Sequence, residues 1–112
     1  MWIRTGLFVG RPKAGCDGEF QQMVNSALAQ ALRILPGVRH VDMLWARRLD
    51  EGAPPIFCQI VMHFDDKDAI DRMLASPERA TMRSNAVKIL DMFDGRLLHV
   101  DYEVSISART AP

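Results

Sequence analysis

Apolar residues run along this chain in two rhythms, one of period two and one of period three to four. From Trp2 to Val9 a β-branched and aromatic run predicts a first strand, ended by Gly10, Arg11 and Pro12. Phe20, Met23, Val24, Ala27, Leu28, Ala31, Leu32 and Leu35 then fall on one helical stripe, with Asp17 as the expected cap. Pro36 and Gly37 close that helix, since the residue before proline leaves the α region and glycine suits the turn.

The period-two rhythm returns at Val38 to Arg47, a second strand. After the loop residues Asp50, Glu51, Gly52, Pro54 and Pro55 comes a strongly apolar third strand, Ile56 to Phe64. Asp65 or Asp66 caps a short helix with Ala69, Ile70, Met73 and Leu74 on one face. Ser76 followed by Pro77 starts a further helical stretch that buries Met82, Ala86, Ile89, Leu90 and Phe93. Asp94 and Gly95 terminate it, Leu97 to Val104 reads as a fourth strand, and residues 105–112 form a loose tail. The order β-α-β-β-α-β is the split βαβ, or ferredoxin-like, α+β arrangement, in one domain spanning residues 1–112.

Two helices cover one face of a four-stranded antiparallel sheet, so the composition of the other face is informative. Assigning the more apolar set of each strand to the helices puts Ile3, Leu7 and Val9 inward in the first strand and Val41, Met43 and Trp45 in the second. Ile56, Cys58, Ile60, Met62 and Phe64 follow in the third, and Leu98, Val100, Tyr102 and Val104 in the fourth. The far face then receives Trp2, Arg4, Gly6 and Phe8, with His40, Asp42 and Leu44. It also receives Phe57, Gln59, Val61 and His63, and finally Leu97, His99, Asp101 and Glu103. Large apolar groups mixed with ionisable ones suit a second sheet laid over a wet pocket.

Composition narrows the function classes. Lysine plus arginine balances aspartate plus glutamate at 14 each, so no net field favours nucleic acid or an anionic membrane. No segment reaches the roughly 20 apolar residues of a membrane span, and the N-terminal residues lack a signal-peptide pattern. Cys16 and Cys58 have no metal-ligand spacing and read as reduced thiols, which suits a cytoplasmic protein. No motif specifies a cofactor, and the spacing of His40, His63 and His99 selects no metal site.

Leu35-Pro36-Gly37-Val38, Pro54-Pro55, Phe64-Asp65 and Ala75-Ser76-Pro77-Glu78 occur in an order that resembles the EthD-like family of the dimeric α+β barrel superfamily, over roughly residues 2 to 104. The resemblance implies a homodimer of two ferredoxin-like sheets packed face to face. It also implies a cavity in the barrel lumen or between sheet and helices, and a role in small-molecule catabolism as an oxidoreductase or isomerase. Many EthD-like proteins carry a His-x-Pro segment in the first helix, where this chain reads Ser26-Ala27-Leu28-Ala29. The acid–base role therefore passes to His63, His99 or His40.

The leading expectation is an enzyme in which His63 moves a proton while Arg4 holds a carboxylate or enolate oxygen. Its competitor is a non-catalytic protein that binds a hydrophobic metabolite against Trp2, Phe8, Phe57 and Val61. Haem held by a histidine is a third possibility, distinguished by a Soret band.

Overall fold

The computed structural model describes residues 1–111. Its elements are β1 (Trp2–Pro12), α1 (Asp17–Met23), a π-helical turn (Val24–Leu28), α2 (Ala29–Arg33), β2 (His40–Trp45), β3 (Ile56–Phe64), α3 (Lys67–Leu74), α4 (Pro77–Asp91) and β4 (Phe93–Glu103). The strands form one antiparallel sheet in the order β2-β3-β1-β4, which places β3 between the parallel pair β1 and β2 and confirms the ferredoxin-like α+β arrangement.

Local chemistry accounts for most boundaries. The Asp66 carboxylate accepts from the Ala69 backbone N–H at 2.8 Å, and the Ser76 hydroxyl accepts from Arg79 N–H at 3.2 Å. Such caps are each worth about 1 kcal/mol. Asp17 lies inside the first turn of α1 instead of capping it: Cys16 holds the cap position and makes no side-chain cap bond. Asp17 and Glu19 instead complement the positive end of the helix dipole.

Both strands of the β1–β4 ladder are longer than the sequence pattern suggests. Gly10, Arg11 and Pro12 continue β1 by pairing with Gly95, Asp94 and Phe93. Asp94 and Gly95 are thus strand residues and not the end of α4. Gly10 faces Gly95 across the ladder with φ of 131° and 154° respectively, conformations that side chains oppose. A Cβ at Gly10 would collide with the Asp94 carbonyl oxygen, and one at Gly95 with the Val9 carbonyl oxygen. Absence of side chains at both positions is what lets the strands run on.

The core lies between the sheet and the helices. Phe20, fully buried on α1, meets Phe8 and Phe93 at ring separations of 5.3 and 5.2 Å and is flanked by Trp45 and Phe57. The π-helical turn is tied to this cluster, because Asn25 accepts from the Trp45 indole N–H at 3.1 Å. Leu28 and Leu32 continue the stripe over Ile60 and Met62. Leu90, expected inside, is 40% exposed. Residues 105–111 hold neither helix nor strand, and residue 112 of the expected tail lies outside the described residues.

Candidate functional site

Cross-strand partners in a sheet project to the same side, so register decides which residues share a face. Cys58, Ile60, Met62 and Phe64 of β3 are buried beneath the helices. Their partners on β1 are Phe8, Gly6, Arg4 and Trp2, and the partners of those on β4 are Leu97, His99, Asp101 and Glu103. The helix side of β1 and β4 is therefore the set assigned to the far face from sequence. Ile3, Leu7, Val9, Leu98, Val100 and Tyr102 lie on the open face instead. β2 and most of β3 are as expected, with His40, Asp42, Gln59, Val61 and His63 on the open face.

Phe57 departs for a different reason. The β1–β3 register shifts between Phe8 and Val9, leaving Phe57 as the extra residue of a bulge. It turns into the aromatic cluster and meets Phe20 at 5.8 Å and Phe93 at 6.2 Å.

The exchange of faces builds a cavity of about 720 Å³ between sheet and helices. Gly6 lies in its floor with Phe8, while Leu32, Met62, Met73 and Ile89 form apolar walls. Arg4, His99, Arg79 and Arg83 supply its basic groups, Ser84 adds a hydroxyl, and no acidic residue lines it among the described residues. Arg4 donates to Asp101 at 2.9 Å and has a largely enclosed side chain. Burial and the positive charges of Arg4, Arg79 and Arg83 push the His99 pKa down, with Asp101 opposing them. Arg79 is itself lowered, by burial and then by Arg83 and Arg4. An apolar chamber with an excess of guanidinium at one end is built for a molecule with a greasy body and an anionic tip.

On the opposite face His40 and Asp42 lie on β2, and His63 sits directly across from His40. Asp42 stands between the rings, with Oδ1 2.9 Å from His40 Nε2 and Oδ2 3.2 Å from His63 Nε2. The hydrogen bond with His63 lowers the Asp42 pKa most; burial works against it and the bond with His40 reinforces it. The three expected catalytic groups are thus divided: Arg4 and His99 meet in the helix–sheet cavity, whereas His63 belongs to another cluster. Cys58, whose thiol burial pushes up to about 12, is a core residue and no nucleophile at neutral pH.

Known structures share this architecture. An ethyl tert-butyl ether D (EthD) family protein from Bacillus halodurans superposes with a TM-score of 0.74 at 16% identity, over 93% of this chain and 99% of that one. A candidate antibiotic biosynthesis monooxygenase from Deinococcus radiodurans gives 0.64 at 23% identity over the whole of both chains. A dimeric ferredoxin-like protein of unknown function from Jannaschia gives 0.66 at 17% identity, over 93% of this chain and all of that one. The chain has the fold of the EthD-type proteins. No family model and no curated protein matches its sequence.

Arg79 and Arg83 were not singled out from the sequence. Their signal is nevertheless present: with Met82 and Ala86 they form one helical face, two cations bracketing apolar side chains that point toward the sheet. The remaining candidates scatter. Trp2 and Glu103 pair at the end of the helix side, and Gln59 and Val61 line the open face without reaching the cavity.

Proposed function

We propose that the protein binds a small, largely apolar carboxylate or enolate in the helix–sheet cavity, its anionic end against Arg4, Arg79 and Arg83, and that His99 moves the proton. The observation that carries this reading is the convergence of these four basic side chains on one apolar chamber without an acidic lining residue. Arg4, pinned by Asp101, presents a fixed guanidinium edge, while Arg79, repelled by Arg83 and Arg4, is relieved by a bound anion. His99, biased to its neutral form, is a base at neutral pH. Proton removal beside a carbonyl is the chemistry these groups support, either as isomerisation or as enolate formation before reaction with dioxygen as the oxidant, in the catabolism of an aromatic-derived metabolite. The EthD-type fold is compatible with this reading but specifies no reaction.

A specific observation favours a second reading, binding without turnover: the first helical stripe faces the cavity with Leu28 and Leu32, aliphatic groups with no proton to exchange. Thermal shift and product analysis with a panel of aromatic and medium-chain carboxylates, each paired with its amide, separates the two. Stabilisation by acids but not amides, lost in Arg79→Ala/Arg83→Ala, supports the binding site. Equal responses to acid and amide would remove the anionic subsite. Solvent deuterium exchange into a bound acid, abolished by His99→Gln, distinguishes proton transfer from storage.

The open face carries exposed Leu44, Leu98, Val100 and Tyr102, and similar structures include one described as dimeric. We propose that this face packs against a second copy.

A further inference from the structure

A second constellation lies on the open face of the sheet, outside the ligand cavity. His40 and Asp42 are two residues apart on an edge strand and so project to the same side, and β2–β3 register sets His63 opposite His40. One ligand atom from each of the three residues lies within 4.8 Å of the others. Both Nε2 atoms converge on the two oxygens of a single carboxylate, at 2.9 and 3.2 Å, with the imidazole rings 5.2 Å apart. Ligands held at about 2.0–2.1 Å in a tetrahedral zinc site stand roughly 3.3 Å from one another. A cation therefore enters by opening these contacts by a few tenths of an ångström, with the ring protons on Nδ1.

We propose that His40, Asp42 and His63 form a binding site for a zinc-class divalent cation. Two imidazoles and one carboxylate select Zn²⁺, Co²⁺, Ni²⁺ or Cu²⁺ over Mg²⁺ and Ca²⁺, which prefer oxygen-rich shells. Three protein ligands leave a coordination position open for water or an anion, the count of an exchangeable zinc site and not of a closed structural one. In the single chain the side chain of His40 is 64% accessible, that of Asp42 43% and that of His63 22%, so a cation can reach the cluster from the edge strand before the open face is covered by a second copy. The site is on the opposite face from Arg4 and His99, so it stands or falls independently of the proposed carboxylate ligand.

A simple hydrogen-bonded His-Asp-His cluster would have the same resting geometry but no metal dependence, and that difference is measurable. Titration calorimetry of the full chain with zinc chloride should give one Zn²⁺ per chain, with magnesium chloride as the contrasting probe giving no heat. Asp42→Asn or His63→Gln should weaken zinc binding by more than about tenfold, a loss that removal of even an outer-shell partner can produce. The side-chain ¹⁵N resonances of His40 and His63 should move on zinc addition while those of His99 stay. If His63→Gln fails to fold, His40→Gln at the exposed strand edge reads the same ligand loss. Zinc binding unchanged in His40→Gln and Asp42→Asn, zinc-induced shifts centred on His99, or no zinc binding at micromolar concentration would each overturn the assignment.

Discussion

His99 lies against the cavity floor formed by Gly6, within 3.7 Å of where a Cβ on Gly6 would stand, and is faced by Arg4 on β1, Arg79 and Arg83 on α4 and Asp101 on its own strand. Its folded-state pKa is below the ordinary 6.5, so in the window below 6.5 the unfolded chain binds more protons than the native one. Stability therefore rises with pH across that window, and His99 contributes no pH dependence above it. His99→Gln should flatten the acid-side loss, read from urea midpoints at several pH values; an unchanged profile would show that the ring is not held neutral by its surroundings. The identity of His99 as a polar residue amid apolar neighbours was legible in the sequence. So was its sharing a face with Arg4 and Asp101; that this face meets the helices, and with them Arg79 and Arg83, was not, because choosing the more apolar set of each strand presumes a dry helix side. In β1 and β4 that side lines a cavity with Arg4 and His99, and the more apolar set faces the open side.

At the scale of elements, the helix boundaries set by Asp66 and by Ser76 with Pro77 were readable because capping involves a few neighbouring residues. The length of β1 and β4 was not. Gly10, Pro12 and Gly95 look like breakers along the chain and become a strand continuation only where two glycines meet across the ladder. Gly95→Ala should cost about 1–3 kcal/mol, the usual range for a side chain forced into a disfavoured backbone region, with the added clash against the Val9 carbonyl. A denaturation midpoint equal to wild type would refute that account. Gly6 is the opposite case: its φ is ordinary and a methyl group would make contacts of 3.5–3.7 Å with Leu97 and His99. Gly6→Ala should keep stability within about 0.5 kcal/mol while filling the floor of the cavity, weakening carboxylate binding in the same thermal-shift panel.

On the scale of the molecule, the helices cover one face of the sheet and leave Leu98, Val100 and Tyr102 exposed at 38, 37 and 49%. β4 is an edge strand, so this apolar surface adjoins unpaired backbone groups. Light scattering should give twice the chain mass for wild type, and Val100→Glu should yield a folded monomer by placing a charge in the proposed interface. A wild-type monomer would remove the interface. Periodicity, caps and turn residues determined the element order and hence the ferredoxin-like topology, because each depends on residues a few positions apart. Only the tertiary structure decided which face of β1 and β4 meets the helices, that Phe57 leaves its strand's alternation at a bulge, and that His63 joins His40 and Asp42 while His99 joins Arg4. Those outcomes depend on register between strands distant in sequence, where a shift of one residue exchanges every side chain between faces.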